Sequence, residues 1–329
     1  MNKKGEDTTP SVSVLMPVYN VEKYVAEAIE NILNQTFTDF ELILLDDCSP
    51  DKSADIIHTF KDDRIVYHRN EKNLGLANNL NIGLKLAKGK YIARADSDDI
   101  SLQTRLETQI NFLELHPDID LCSCGLQMFG QENAVWIRES DPEQVKITMM
   151  FYSPVLHATS VWRRESFEKN NLYYDQNSFP AEDYDLWSRA IFFCRLVNIP
   201  QVLYKYRIHG IQVTKTDDRV TDRDRKIKIA FLHKALPSLR KENIEDFIDK
   251  FIQKQGVSIQ NINSLKSIYK SALEANKKER FFNQELLETR LKRYYQNVLF
   301  ELLKNEKEYL KNINLLKDLR LKQIFKIFI

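Results

Sequence analysis

Glycine and proline are scarce in this 329-residue chain, at 8 and 9 residues. That scarcity excludes collagen-like and low-complexity architectures. It also leaves out the usual phosphate cradles. No G-x-G-x-x-G follows the first apolar run and no G-x-x-x-x-G-K-[ST] occurs anywhere, so neither a dinucleotide fingerprint nor a triphosphate loop is present. Only four cysteines occur, Cys48, Cys122, Cys124 and Cys194, and their spacing fits neither a zinc motif nor a secreted disulfide framework. The single residue between Cys122 and Cys124 favours two buried small side chains over a metal site. "MNKKGEDTTP" has no apolar signal core, and no apolar run approaches the ~20 residues that cross a bilayer. The chain is therefore expected in the cytoplasm, with attachment to the inner membrane face left open.

Net charge is nearly absent too, with 48 Lys and Arg against 47 Asp and Glu. Neutrality argues against a protein that coats nucleic acid. The balance is a cancellation, however. Residues 1–214 hold 22 basic and 31 acidic side chains, whereas residues 215–329 hold 26 and 16. Such asymmetry points to different partners for the two regions. What the chain does have is apolar content, 43% of residues, enough for one large domain or two ordinary ones.

From Ser11 the pattern alternates. "SVSVLMPVY" and "FELILLDDCSPD" suit buried strands, and "RIVYHRN" and "KYIARADSDD" continue the series. Between them, "VEKYVAEAIENILNQT", "KSADIIHTFK" and "LANNLNIGLKLAKG" carry apolar residues at helical spacing. Strand and helix in alternation predict a parallel α/β sheet, with ligands beyond the carboxyl ends of its strands. Three of those ends are chemically informative: Pro17-Val18-Tyr19, Asp46-Asp47 and Asp96-Ser97-Asp98-Asp99. Beyond residue 100 the pattern is mixed, with a helix over "LQTRLETQINFLELH", strands near 119–129 and 155–163, and a helix near 183–194. After Thr216 only Pro237 and Gly256 interrupt a helical reading.

Alternate carboxylates at a strand end can share work: one on a hard divalent cation, the other on a ribose or a metal-bound water. The same residues can equally form an acidic turn that caps a helix, with Asp99 or Ser101 as the cap. Context decides between these. The motifs "VSVLMPVYN", "NQTFTDFELILLDDCSPD", "NEKNLGLANNLNIGLKLAKGKYIARADSDD", "HATSVWRR", "AEDYDLW" and "YRIHG" follow one another from Ser11 to about Thr214. In that order the sequence resembles a family 2 glycosyltransferase with the GT-A fold, an inverting enzyme that moves a sugar from a nucleotide diphosphate sugar to an acceptor hydroxyl.

The resemblance implies a role for each matching position. Pro17, Val18 and Tyr19 would frame the base, and Asp47 would read base or ribose while Asp46 orients the turn. Asn73, Gly75 and Asn81 would contact the nucleotide or shape its loop. Leu80 stands where many members carry Arg. Asp96 and Asp98 match the metal-and-diphosphate motif, Asp98 as metal ligand and Asp96 also toward the sugar nucleotide, with Ser97 between them. Arg94 would meet the donor or form a structural ion pair. His157 would lie near the donor sugar or acceptor, or be a packed histidine. His209 would complete the coordination of Mn²⁺ or Mg²⁺, with Arg207 neutralising the leaving phosphate. Asp183 is the first choice for the general base and Glu182 the alternative. The implied donor is a UDP-sugar, and the implied acceptor a glycan or lipid-linked glycan in surface polysaccharide synthesis, with no nucleic-acid partner.

The expected organisation is a polar leader (1–10), a GT-A domain (11–214, donor side to 100, acceptor side after it) and a basic helical region (215–329). In the last, Leu321, Ile324, Phe325 and Phe328 recur at helical spacing among Lys317, Arg320, Lys322 and Lys326. Such a helix lies on a membrane surface, or packs on its neighbours or on a second subunit of a homo-oligomer. Two rivals remain at this level: a sugar-phosphate nucleotidyltransferase, which would normally carry a glycine-rich basic loop that "MPVYNVEKY" lacks, and a non-catalytic scaffold that has kept the fold.

Overall fold

The first two apolar runs form β1 (Val12–Val18) and β2 (Phe40–Asp46). Every residue of β2 is buried, as a strand covered on both faces requires. With β3 (Ile65–Arg69) and β4 (Tyr91–Arg94) they make a parallel set in the order β3-β2-β1-β4. The crossovers are α1 (Val25–Leu33), α2 (Ser53–Ile57) and α3 (Leu76–Leu86). On α1 the apolar spacing buries Val25, Ala28, Ile29 and Ile32 against the sheet. On α3, Gly83 lets the helix approach closely, because a Cβ there would meet Leu45 at 2.5 Å.

The computed structural model describes residues 9–209, 219–305 and Leu319. Past β4 the sheet changes character. It continues through β8 (Val161–Arg163) and β6 (Leu121–Gly130) to β9 (Leu196–Ile208) and β5 (Ile100–Ser101), with β7 (Val135–Trp136) beside β6. Here β6 and β9 run parallel, and the other pairings are antiparallel. Together these nine strands form an α/β sheet whose long pairings are parallel. Four helices complete this half: α4 (Arg105–Leu115), α5 (Pro142–Thr148), α6 (Arg164–Lys169) and α7 (Glu182–Ala190).

Two local readings change. Of the strand expected near 155–163, only Val161–Arg163 is extended; His157–Thr159 is a 3₁₀ turn. Conversely, the 13-residue β9 has no counterpart in the expected elements, and it carries Arg207 inside a strand. Pro200 interrupts its apolar pattern, and the pairing with β6 shifts register there, from Cys124–Ile199 to Gly125–Val202. A bulge absorbs a residue that cannot donate to the ladder. Cys122 and Cys124 are buried on β6, as their spacing suggested.

Topology decides where a site can form. From β1 the chain moves outward to β2 and β3, then returns to place β4 on the other side of β1. The strand order therefore reverses between β1 and β4, which opens a crevice at their carboxyl ends.

The described residues divide into two compact units: residues 9–145 with 152–224, and residues 146–151 with those from 225 onward. The boundary drawn on the sequence, at 214/215, falls ten residues earlier. The second unit contains most of α8 (Arg219–Ala235), then α9 (Lys241–Asp246) with a π turn (Phe247–Ile252), α10 (Ile262–Glu279) and α11 (Gln284–Asn305). Its core is aromatic, with Phe251, Tyr269 and Tyr295 in a chain of ring contacts. Lys146–Phe151 belongs here: Phe151 packs on Tyr294, and Lys146 lies over the Phe281 ring. The amphipathic stripe around Leu321–Phe328 is outside the described residues. Among the described residues no helix is long and apolar enough to cross a membrane.

Candidate active site

At the carboxyl ends of β1 and β2 the structure separates two neighbouring acids. Asp46 is fully buried and accepts from the Ser49 backbone N–H (2.8 Å), the Tyr67 hydroxyl (2.7 Å) and Arg69 (3.1 Å). It orients the turn, as the sequence suggested. Asp47 organises the facing loop. Its Oδ1 accepts from Asn70 (2.7 Å) and the Leu74 N–H (2.8 Å), and its Oδ2 from the Gly75 N–H (2.9 Å). Asn73 also accepts from the Gly75 N–H, at 3.1 Å. Gly75 holds φ +80 at the start of α3, a conformation that glycine adopts without strain. Buried Asn70 is tied in turn to Asn79, which reaches the Leu45 carbonyl. Tyr19 stands half exposed at the end of β1 beside buried Val18 and partly buried Pro17.

The end of β4 carries the densest charge. Arg94 is 1% exposed, and its guanidinium donates to Asp96 at 2.6 Å and to the Ala95 carbonyl. Of the two roles open to Arg94, the geometry realises the ion pair. Ser97 is buried, and partly exposed Asp98 meets His209 at 2.9 Å between Oδ2 and Nε2. Burial, and then the Asp96 charge, push the Asp98 carboxyl up, while the His209 contact opposes them. Asp99 is buried, and burial holds its carboxyl well above the ordinary range, with Asp96 and Asp98 adding to the effect.

β9 locks this turn from the opposite side. The Arg207 backbone N–H donates to Asp99 (2.7 Å) and its Nε to the Asp98 carbonyl (2.7 Å), and its guanidinium pairs with Glu27. That guanidinium lies over the rings of Tyr24 (4.9 Å) and Phe129 (4.5 Å). His209 stacks on Tyr24, with ring centroids 5.2 Å apart. Tyr24, Glu27 and Phe129 carried no signal in the sequence.

The third component comes from α7 and the segment before it. Glu182 is 6% exposed, and its Oε2 has no hydrogen-bond partner. Burial, and then the neighbouring Asp183, push its carboxyl up to about 7. Asp183 is only partly buried; burial lifts it to about 6 against the pull of the α7 backbone N–H groups. The charges of Arg94 and Asp96 act on both acids, so the start of α7 faces the end of β4. His157 bonds the Tyr174 hydroxyl at 2.8 Å, and burial with the Arg94 charge holds its imidazole neutral. Asn81 joins two segments of the chain. Its amide donates to the Tyr174 carbonyl (2.8 Å) and accepts from the Tyr174 N–H (3.0 Å), which pins α3 to the segment leading into α7.

Arg94, Asp96, Asp98, His157, Glu182, Asp183, Arg207 and His209 are thus assembled around one strand end. Asn73, Asp47 and Asn81 shape the walls. Sequence reasoning also missed Arg105, which reads as an exposed helix position. It is fully buried, donating to the Arg94 carbonyl (2.6 Å), Ser101 Oγ (2.8 Å) and Gln109 Oε1 (2.9 Å), over the ring of Tyr204. Tyr204 in turn accepts from the Asp96 N–H at 3.0 Å. Removing Arg105 strands these acceptors and leaves a void. Arg105→Ala should cost about 2–4 kcal/mol in urea unfolding. The exposed Arg195–Asp118 pair supplies the control, since Arg195→Ala should cost under about 1 kcal/mol. Equal losses would contradict the support assigned to Arg105.

A divalent cation can be tested against the donor set. Asp98 and His209 present one carboxylate oxygen and one imidazole nitrogen toward each other. Among the described residues no group of three ligating side chains forms a closed metal site. Two protein ligands suit Mg²⁺ or Mn²⁺, which fill their remaining positions with water and substrate phosphates. The residues therefore fit such an ion at a substrate-completed site.

Known proteins resemble this chain in sequence and in fold. Residues 13–192 match the model of Glycosyl transferase family 2. Over 214 residues the chain is 39% identical to an uncharacterized glycosyltransferase of Methanocaldococcus jannaschii, covering 62% of this chain and 73% of that one. It is 34% identical over 215 residues to the O-antigen biosynthesis glycosyltransferase WbnJ of Escherichia coli, covering 62% and 82%. Among solved structures, S. aureus TarS 1-349 in complex with UDP-GlcNAc matches with a TM-score of 0.62 at 19% identity, over 87% of this chain and 90% of that one. The mannosyltransferase PcManGT of Pyrobaculum calidifontis, in complex with GDP-Man and Mn²⁺, matches at 0.53 and 17%, over 82% and 76%. At these identities the structural likeness is one of fold.

Proposed function

The chain belongs to glycosyl transferase family 2, and from that premise we propose an inverting, metal-assisted enzyme that moves a sugar from a UDP-sugar to a hydroxyl of a glycan or lipid-linked glycan. The carrying observation is the convergence on Arg94 and Asp96. Asp98 and His209 are suited to a metal-bound diphosphate, and Glu182 and Asp183, which feel the charges of Arg94 and Asp96, are suited to proton removal. Complexes of fold relatives with UDP-GlcNAc, and with GDP-Man and Mn²⁺, support a nucleotide-sugar donor and a divalent ion. The O-antigen role of WbnJ supports surface polysaccharide synthesis.

The reaction follows from charge. The acceptor oxygen attacks the anomeric carbon as the bond to the β-phosphate oxygen breaks, and the diphosphate leaves with the electron pair. Asp183 takes the acceptor proton. It suits this role better than Glu182, being the more accessible acid and the one ionised above pH about 6. Asp96, held by Arg94, orients the donor, and Tyr19 offers a ring face for the uracil. Arg207, braced on Glu27, adds positive charge near the departing diphosphate. A cation on Asp98 and His209 would neutralise negative charge on the β-phosphate.

A thermal-shift panel tests the donor class. UDP-sugars with Mn²⁺ should raise the unfolding midpoint by several degrees, more than GDP- or dTDP-sugars or UDP-sugar with chelator. No shift with any nucleotide sugar would remove the basis of the reading.

A further inference from the structure

The helical unit holds a groove of its own, for which the proposed reaction has no use. It lies between the α8–α9 connection and α10 and has a volume of about 360 Å³, within the usual ~300–1,000 Å³ range of ligand clefts. Arg240, Lys270 and Lys278 line it together with Ser238, Ser267 and Ser271.

Among the described residues none of the three cations forms an ion pair or side-chain hydrogen bond, although acids are near. Glu274, the one carboxylate in the lining, bonds Lys277 at 2.7 Å. Glu279, at the end of α10, accepts from the Ser238 backbone N–H at 3.2 Å. Three cations against one carboxylate leave the lining net positive; like charges repel one another, and a concave surface concentrates their field. An anion relieves that repulsion. The hydroxyls, with the Asn243 amide, narrow the class further, because they are donors and acceptors of the kind that sugar hydroxyls meet. Among the described residues no aromatic ring lines the groove, so they offer no stacking platform for a single-stranded nucleic acid. Leu239 and Ala275 are the only apolar residues among them in the lining, too little to seat an acyl chain.

We infer that this groove binds an anionic sugar, one bearing phosphate or carboxylate, so that the helical unit holds a charged stretch of glycan. The inference does not depend on which donor the transferase uses. The cations take the phosphate or carboxylate oxygens, and the serines and Asn243 take ring hydroxyls.

The test uses the full chain and titration calorimetry at low salt. The probes are an oligogalacturonate (carboxylate), a phosphorylated mannan oligosaccharide (phosphate) and a neutral dextran of equal length. One or both charged oligosaccharides should bind, the neutral one should not, and binding should weaken as salt rises. The variant Lys270→Gln/Lys278→Gln should weaken binding at least tenfold while UDP-sugar hydrolysis stays unchanged. Loss of hydrolysis in the wild-type chain alone would count against the transferase assignment and leave the groove to be judged by binding. Equal binding of dextran, no binding of either charged oligosaccharide, unchanged affinity in the double variant, or tighter binding of an oligodeoxythymidine or of vesicles containing anionic lipid would each overturn the inference.

Discussion

Asp183→Asn should lower sugar transfer by about 10²–10⁴-fold, the usual contribution of a positioned general base, while nucleotide-sugar binding persists. The same change should stabilise the protein at pH 8. Burial raises the Asp183 carboxyl to about 6, from about 3.9 in an unfolded chain. A carboxyl raised on folding favours the native state below the unfolded pKa, and that advantage is lost as pH climbs through the folded value. At pH 8 the charged form is therefore a cost, of order 1–3 kcal/mol for a shift of about two units. Asparagine carries no charge and escapes it. The gain in melting midpoint should be largest at pH 8 and vanish near pH 4. Wild-type kcat/KM should show an acid limb near pH 6, where Asp183 gains its proton. Glu182→Gln should share the stability gain, because burial also raises Glu182, but it should retain more transfer. A variant ranking in the reverse order would move the base from Asp183 to Glu182.

Why the acids could be found in the sequence and their supports could not is plain from particular residues. Asp47, Asp96 and Asp98 sit where strands end, and a parallel sheet brings strand ends together whatever the side chains do. Glu182 and Asp183 begin a helix, and the matching motif pointed to them. Their partners come from elsewhere in the chain. Asp47 is satisfied by Asn70, Leu74 and Gly75, so its carboxylate holds a loop. Asn81, expected near the nucleotide, spends its amide on Tyr174, 93 residues away. Arg105 shows the limit most clearly. Amphipathic spacing treats an arginine in the first turn of a helix as solvated, yet this one is fully buried because three acceptors from β4, β5 and α4 converge on it. No local pattern encodes a convergence that the sheet order creates.

The same separation governs Asp98 and His209, 111 residues apart in sequence and 2.9 Å apart in space. If the pair holds the cation that meets the diphosphate, Asp98→Ala should remove both the metal dependence and most of the rate. Loss of a preorganised electrostatic stabiliser costs roughly 10²–10³-fold, about 3–4 kcal/mol of barrier. Mn²⁺ should then no longer add to the thermal stabilisation given by UDP. His209→Ala should be milder, about 10- to 100-fold, because one carboxylate with water and phosphates still supplies most of a hard ion's shell. Its stacking on Tyr24 complicates that variant, since the cavity can loosen Arg207, which lies on the same ring. His209→Gln keeps much of the volume and separates the two effects. Raising Mn²⁺ should rescue His209→Gln, where affinity is reduced, but not Asp98→Ala, where the hard ligand is gone. Rescue of Asp98→Ala by millimolar Mn²⁺ would remove Asp98 as the essential ligand, and a wild-type rate insensitive to chelators would assign the diphosphate charge to Arg207 and the backbone instead.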